Sequence, residues 1–258
     1  MILENYNNIT FFCTDRHGGT SSGNYSTLNL SEYTGDDLHN LKNNFDYLSK
    51  RLGKMNLNYI VPHQTHETKV LDINKAFMYL NANDQKQLLN GVDALVTSLP
   101  NTCIAVTTAD CVPLLFWDET KQVVAVAHAG WRGTCMQIAK NTIQKMQSNY
   151  NCNPENIQVY IGPSISPSVY EVGNDVITAF KNNGFLLSEI CVPNKEKYLL
   201  NLWEANIQVI LKMGIDRDKI HCSNICTFTD NENYFSARKL GIQSGRILNG
   251  IFINDSKF

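Results

Sequence analysis

Three apolar, strand-like runs of this chain each lead into a residue with chemistry of its own. Ile104 to Thr108 runs into Ala109-Asp110-Cys111-Val112-Pro113, and Val123 to Ala127 runs into His128-Ala129-Gly130-Trp131-Arg132-Gly133-Thr134. Upstream, Asn58-Tyr59-Ile60-Val61 is closed by Gln64-Thr65-His66. Runs of this kind must be buried strands, and strand ends are where a sheet protein displays its chemistry. There the scaffold fixes the backbone while the side chain leaves the core. Two imidazoles and one thiolate suit a zinc ion with one coordination position open, the pattern of a catalytic site rather than a structural one.

The bulk properties narrow the class. With 258 residues, 43% of them hydrophobic and 18% charged, the composition is that of an ordinary globular protein with ample core, which excludes disorder. A formal net charge of -2 gives no electrostatic case for nucleic acid or an anionic membrane surface. The longest apolar run, Ile104 to Trp117, is interrupted by Asp110 and Pro113, so no membrane span is expected. The opening residues Met1 to Asn8 lack a basic start followed by an apolar stretch, so a cytoplasmic location is expected. Eight cysteines are scattered without a CxxC pair through a chain too large to need staples, which favours reduced thiols.

Strand patterns fall at 9–13, 68–73, 91–97, 102–108, 114–117, 123–128, 159–162, 219–222 and 246–253, and the segment 74–90 reads as polar connection or helix. Amphipathic spacing predicts helices at 37–51, 134–146, 175–181 and 202–213, with Thr134 as an N-cap. Strands and helices interleave without a βαβ rhythm, which points to an α+β (mixed α/β) fold with mixed sheets. No linker divides 1–258, so a single domain is expected.

Taken singly, each chemical residue has a plainer use. A cysteine beside an apolar strand is commonly packing, and a histidine there is commonly hydrogen-bonded structure. Sixteen residues separate Cys111 from His128, so only the fold could assemble a site, and His63, three residues before His66, competes as a ligand. Gly130 and Gly133 around Arg132 would let backbone N–H groups and a guanidinium converge on an anion, or would simply make a tight turn. Arg16, Gly18 and Gly19 pose the same choice. Asp93 and Asp110 are flanked by apolar residues, where a carboxylate needs a partner. Asp110, beside Cys111, is the stronger candidate as a proton carrier, while Asp93 could equally cap a turn.

The segments 16–21, 64–66, 93–97, 108–113, 128–133, 161–165 and 170–173, taken in order, resemble the laccase-domain family. Leu202 to Asn206, Cys226-Thr227 and Phe235 to Lys239 extend the likeness. Members were long called polyphenol oxidases and are now described as purine nucleoside phosphorylases with adenosine deaminase activity. The resemblance implies a single four-layered α/β/β/α domain and zinc held by His66, Cys111 and His128. From the residues themselves, Asp110, Cys111 and His128 are expected to be catalytic, and Arg16, Gly18, Gly19, Arg132, Gly133 and Arg238 are expected around substrate and phosphate. The implied ligands are a purine nucleoside (adenosine, inosine or methylthioadenosine) and phosphate, with neither nucleic acid nor membrane as a partner and a homodimer as an option. Glu67, Phe45, Asn201 and Ala237-Arg238-Lys239 depart from the family pattern at the pocket rim without removing a ligand.

Two other chemistries use the same residues. A metal-free hydrolase or amidase would take Cys111 as nucleophile and His128 as base, and would not require His66. A His2Cys set also binds copper, but a multicopper phenol oxidase needs paired His-x-His motifs, and the six histidines of this chain form none.

Overall fold

Alternation along the central strands builds two cores back to back. The structure, a computed structural model, describes residues 1–255. Its strands, among these residues, are β1 (Ile2–Tyr6), β2 (Ile9–Cys13), β3 (Asn58–Ile60), β4 (Val70–Asp72), β5 (Ala94–Thr97), β6 (Thr102–Thr108) and β7 (Val112–Asp118). They continue with β8 (Val123–Ala129), β9 (Ile157–Ile161), β10 (Glu171–Val172), β11 (Cys191–Asn194), β12 (Lys197–Leu200), β13 (Ile220–Cys222) and β14 (Ile247–Ile253). One mixed sheet has the order β1-β2-β14-β6-β3, and a second has the order β13-β9-β7-β8-β5-β4. A small antiparallel sheet, β10-β12-β11, pairs with neither and joins the core on the outer side of the second sheet through Val172 and Leu200.

Successive side chains of a strand point to opposite faces. Along β6, Ile104 and Val106 turn toward the second sheet, while Cys103 and Ala105 turn outward. Along β7 and β8, Leu115, Trp117, Val124 and Val126 enter the inter-sheet core, and Leu114, Phe116, Ala125 and Ala127 face the opposite side. The outer face of the first sheet is covered through Leu48 and Phe45 of the helix Leu38–Leu52. That helix is capped by the Asp37 side chain at its start and by Gly53, at φ +65°, at its end. The outer face of the second sheet carries the helices Ile138–Tyr150, Asn174–Asn182 and Leu202–Lys212. The result is the four-layered α/β/β/α order that the family resemblance implies. Among the described residues no helix is long and apolar enough to cross a membrane.

One expected helix is resolved differently. In place of a continuous helix from Thr134 there are two, Trp131–Cys135 and Ile138–Tyr150, separated where Gln137 takes φ +62°. Gly130 occupies the N-cap, and Thr134 lies inside the first helix, its hydroxyl donating to the Ala129 carbonyl (3.2 Å) and accepting from Asn206 Nδ2 (3.1 Å). Cys135 and Ile138 sit on either side of the break yet join the same core, so apolar spacing could not betray it.

Candidate metal centre

The register that packs the inter-sheet core also decides what lies at its end. In the antiparallel pair β7–β8, Val112 lies opposite Ala129 and Pro113 opposite His128. In the pair β5–β8, Ala94 lies opposite Ala127. Counting by twos from Leu115 and Trp117 leads to Cys111. The same count leads from Val124 and Val126 to His128, and from Leu95 to Asp93. All three therefore leave the sheet on its inward face at one end.

His66 arrives from the loop that follows β3. Its side chain and those of Cys111 and His128 bring one ligand atom each to within 4.8 Å of one another. The two imidazole rings lie edge to face with centroids 4.7 Å apart. His128 is buried, Cys111 is partly exposed and His66 is exposed, so the group is fixed from inside and open from outside. Two imidazole nitrogens and a thiolate at this spacing fit a zinc ion with an exchangeable position, and no second group of three or more such side chains converges among the described residues. His63, the competing candidate, is elsewhere: its Nδ1 meets Asn90 Oδ1 at 2.7 Å and its ring stacks on Tyr33.

The electrostatics of the site fit the same reading. Burial alone would raise the Cys111 thiol, but His128 and His66 outweigh it and bring it down to about 6. Burial would lower His128, but the Cys111 thiolate and Asp93 carry it up to about 9. Metal binding needs the cysteine as thiolate, and this surrounding favours that form. Space is just as constrained. A Cβ on Gly130 would stand 2.9 Å from His66 Cδ2 and 3.1 Å from Cys111 Sγ, so glycine is required by crowding and not by its φ of -65°.

The remaining candidates divide into those near the donors and those that support them from outside. Arg132 is exposed, lies with its guanidinium carbon 4.4 Å from the Trp131 ring centroid, and makes no ion pair among the described residues. Arg238 lies 5.3 Å from the Tyr170 ring centroid and donates to the Glu171 carbonyl (3.2 Å). Burial raises the Tyr170 hydroxyl, over whose ring the Arg238 guanidinium lies. Gly133 falls within the short helix, where a Cβ would meet the Glu67 carbonyl at 3.2 Å, so its task is close packing on the His66 turn.

Asp110, expected as a proton carrier, has its carboxylate engaged by three donors. Its carboxylate accepts from Thr227 Oγ1 (2.7 Å), Ser236 Oγ (3.0 Å) and the Arg238 backbone N–H (2.7 Å), at a strained φ of +89°. Arg16 is likewise engaged, donating from Nε to the Ser26 carbonyl (2.9 Å) and from Nη1 to the Asn231 carbonyl (2.8 Å) beneath the Phe235 ring. Gly18 and Gly19 admit Tyr47 and the Thr27 carbonyl at distances no Cβ would allow. Two residues that the sequence left undecided or unread are central. Asp93 bonds His128 Nδ1 at 2.7 Å, and Gln64 clasps the Thr107 backbone through Nε2 to O and from N to Oε1, both at 2.8 Å. A charged residue inside an apolar run was the available signal for Asp93; Gln64 stood in the quoted Gln64-Thr65-His66 segment, but nothing there assigned it a role.

The family described as multi-copper polyphenol oxidoreductase laccase matches residues 10–254 of this chain. The chain belongs to this family. A purine nucleoside phosphorylase of Bacteroides thetaiotaomicron is 40% identical over 98% of this chain and 94% of its own length. Adenosine deaminase RL5, from an unknown prokaryotic organism, is 38% identical over 95% of this chain and 94% of its own. The crystal structure of YlmD from Geobacillus stearothermophilus superposes with a TM-score of 0.89 at 30% identity, covering 96% of this chain and 93% of that one. The family's description mentions several coppers, whereas the donors brought together here suit one ion.

Proposed function

We propose that the protein is a zinc-dependent purine nucleoside phosphorylase that also deaminates adenosine, with inosine and methylthioadenosine as further substrates. The observation that carries this reading is the convergence of His66, Cys111 and His128 at an open sheet end, in a chain closely related to proteins named for these two activities. A zinc ion at these donors would supply an electrophile and a place to activate water.

The chain's own residues supply binding and orientation. In phosphorolysis a phosphate oxygen bonds to C1′ of the ribose as the C1′–N9 bond breaks, and its electron pair leaves with the purine, which takes up a proton. Arg132, four residues beyond the donor His128, and Arg238, over the Tyr170 ring, form no ion pair among the described residues and are suited to hold the phosphate dianion. The Tyr170 hydroxyl, kept protonated by burial, is a donor for substrate oxygen. Asp110 serves through Arg238, whose backbone it pins, and Arg16 serves by holding the segment from Asn231 to Phe235 that leads there. Gly18, Gly19 and Gly133 allow the loops to close around this wall. In deamination, water oxygen bonds to C6 of adenine and ammonia departs.

A second reading has one specific observation in its favour. Cys111, His128 and Asp93 stand in the order nucleophile, base, orienting carboxylate, with the thiol already lowered, as a cysteine hydrolase would need. Incubation with adenosine, with and without phosphate, separates the possibilities. Adenine formed only with phosphate, and inosine formed without it, support the proposal. His66→Ala should abolish both together with zinc retention. Activity that survives His66→Ala and chelation would sink the metal reading and favour the hydrolase.

A further inference from the structure

A single buried carboxylate touches both histidines of the centre. Asp93 is fully buried, and its two oxygens accept four hydrogen bonds. Oδ1 takes the His66 backbone N–H at 3.0 Å and His128 Nδ1 at 2.7 Å. Oδ2 takes the Thr65 and Glu67 N–H groups at 3.1 and 2.9 Å. These fill the lone-pair positions of an ionised carboxylate. Capping the turn would need only the backbone bonds; the bond to His128 is additional and reaches a strand partner directly across the sheet.

We propose that Asp93 is the positioning residue of the metal centre, setting His66 through its backbone and His128 through its ring, so that both donors face Cys111. The inference rests on the metal reading given above. His66 has φ +65°, a conformation that disfavours a non-glycine residue, and three successive N–H groups converging on one carboxylate hold the turn there. The same carboxylate keeps a proton on His128 Nδ1, which leaves Nε2 with its lone pair free for a metal. A carboxylate behind a ligating histidine fixes the ring's tautomer and orientation and raises its basicity. Asparagine has nearly the same shape but offers one acceptor oxygen, and its amide would oppose two of the four donors.

The test is Co2+ titration of the full-length protein, followed by the thiolate-to-cobalt absorption, for wild type, Asp93→Asn and Asp72→Asn. Asp72, at the end of strand β4, accepts from Asn149 and Tyr150 of the helix Ile138–Tyr150, touches neither histidine of the centre, and controls for general loss of stability. Wild type should bind one equivalent, Asp93→Asn about 10- to 100-fold more weakly, and Asp72→Asn as wild type despite a lower Tm. Failure of wild type to bind cobalt would overturn the metal reading itself. Binding by Asp93→Asn within twofold of wild type, or a loss matched by the control, would overturn this inference alone. If Asp93→Asn does not fold, the imidazole ¹⁵N–¹H correlations of zinc-loaded wild type decide. A proton on His128 Nδ1 and none on Nε2 is expected; the opposite tautomer would refute the assignment.

Discussion

Replacing Gly130 by alanine adds one methyl group to the space between His66 and Cys111. The backbone there, φ -65° and ψ 171°, is as open to alanine as to glycine, so the fold need not strain. Two effects on folding oppose one another. Alanine stiffens the unfolded chain, which stabilises by about 0.4–1 kcal/mol, and it is a poorer N-cap than glycine by a comparable ~1 kcal/mol or less. The metal-free protein should therefore keep its Tm within a few degrees. The site fares differently. The new Cβ would stand 2.9 Å from His66 Cδ2, about 0.5 Å inside the 3.4 Å at which ordinary contact begins, and 3.1 Å from Cys111 Sγ. Relief requires the imidazole or the thiolate to retreat, and catalytic geometries tolerate only about 0.5 Å of error. Overpacking of this kind costs about 1–3 kcal/mol. If all of it falls on the bound state, zinc affinity drops about 5- to 150-fold at ~1.4 kcal/mol per decade. Chelator competition on the full-length variant, with calorimetry of the metal-free form, measures both halves. Equal zinc affinity in Gly130→Ala and wild type would refute the reasoning, as would a fall in metal-free stability large enough to explain the loss.

The pH dependence of the metal-free protein follows from the coupled thiol and imidazole. Cys111 is lowered from 9.0 to about 6, so its contribution to stability is complete above pH 9 and is lost as pH falls through 6. His128 is raised from 6.5 to about 9, so its contribution is complete below pH 6.5 and is lost as pH rises through 9. Over pH 6.5 to 9 one contribution grows as the other fades, so the pair leaves stability nearly level across that window. Cys111→Ser removes the rising contribution and leaves His128 beside Asp93, so its Tm should fall with pH there where wild type stays level; an unchanged profile counts against the ion pair. Asp110→Asn replaces one acceptor oxygen by an amide facing the Thr227, Ser236 and Arg238 donors. It should cost about 1–3 kcal/mol, lowering Tm by roughly 2–10 °C, with zinc affinity held within twofold. A thermal scan showing no change would mean the carboxylate is free for another task.

The strands, helices and mixed α+β class were legible because their signals are local, whereas the layering came only from the family resemblance. Continuous apolar runs such as Val123 to Ala127 report burial directly, as does the spacing of Leu41, Phe45 and Leu48, whereas Leu38 at the helix start is exposed; β7 and β8 lie where the pattern puts them. The break at Gln137 was hidden because a left-handed residue between two helices on one core leaves the apolar spacing intact. The small sheet β10-β12-β11 was equally silent, its strands being short and mixed in burial. At the site, the donors were legible by type and their convergence came from register, which spacing alone does not reveal. Asp110 and Asp93 looked alike in sequence, two acidic residues among apolar neighbours. Long-range donors decide between them: Thr227 and Ser236 claim the first, His128 and the His66 turn the second.

The division of donors between pieces of chain has a consequence for assembly. Cys111 and His128 travel together on the β7–β8 hairpin, which is closed by a short turn and pairs locally. His66 joins only when β5 has docked beside β8 and brought Asp93 against the turn at Thr65 to Glu67. An isolated hairpin thus offers two donors, and only the completed sandwich offers three. A ligand that prefers the finished state stabilises it by mass action, about 2.7 kcal/mol at a free concentration of 100 times Kd. An ion held by these donors would act in refolding as a fastener between segments far apart in sequence, rewarding the pairing that completes the site.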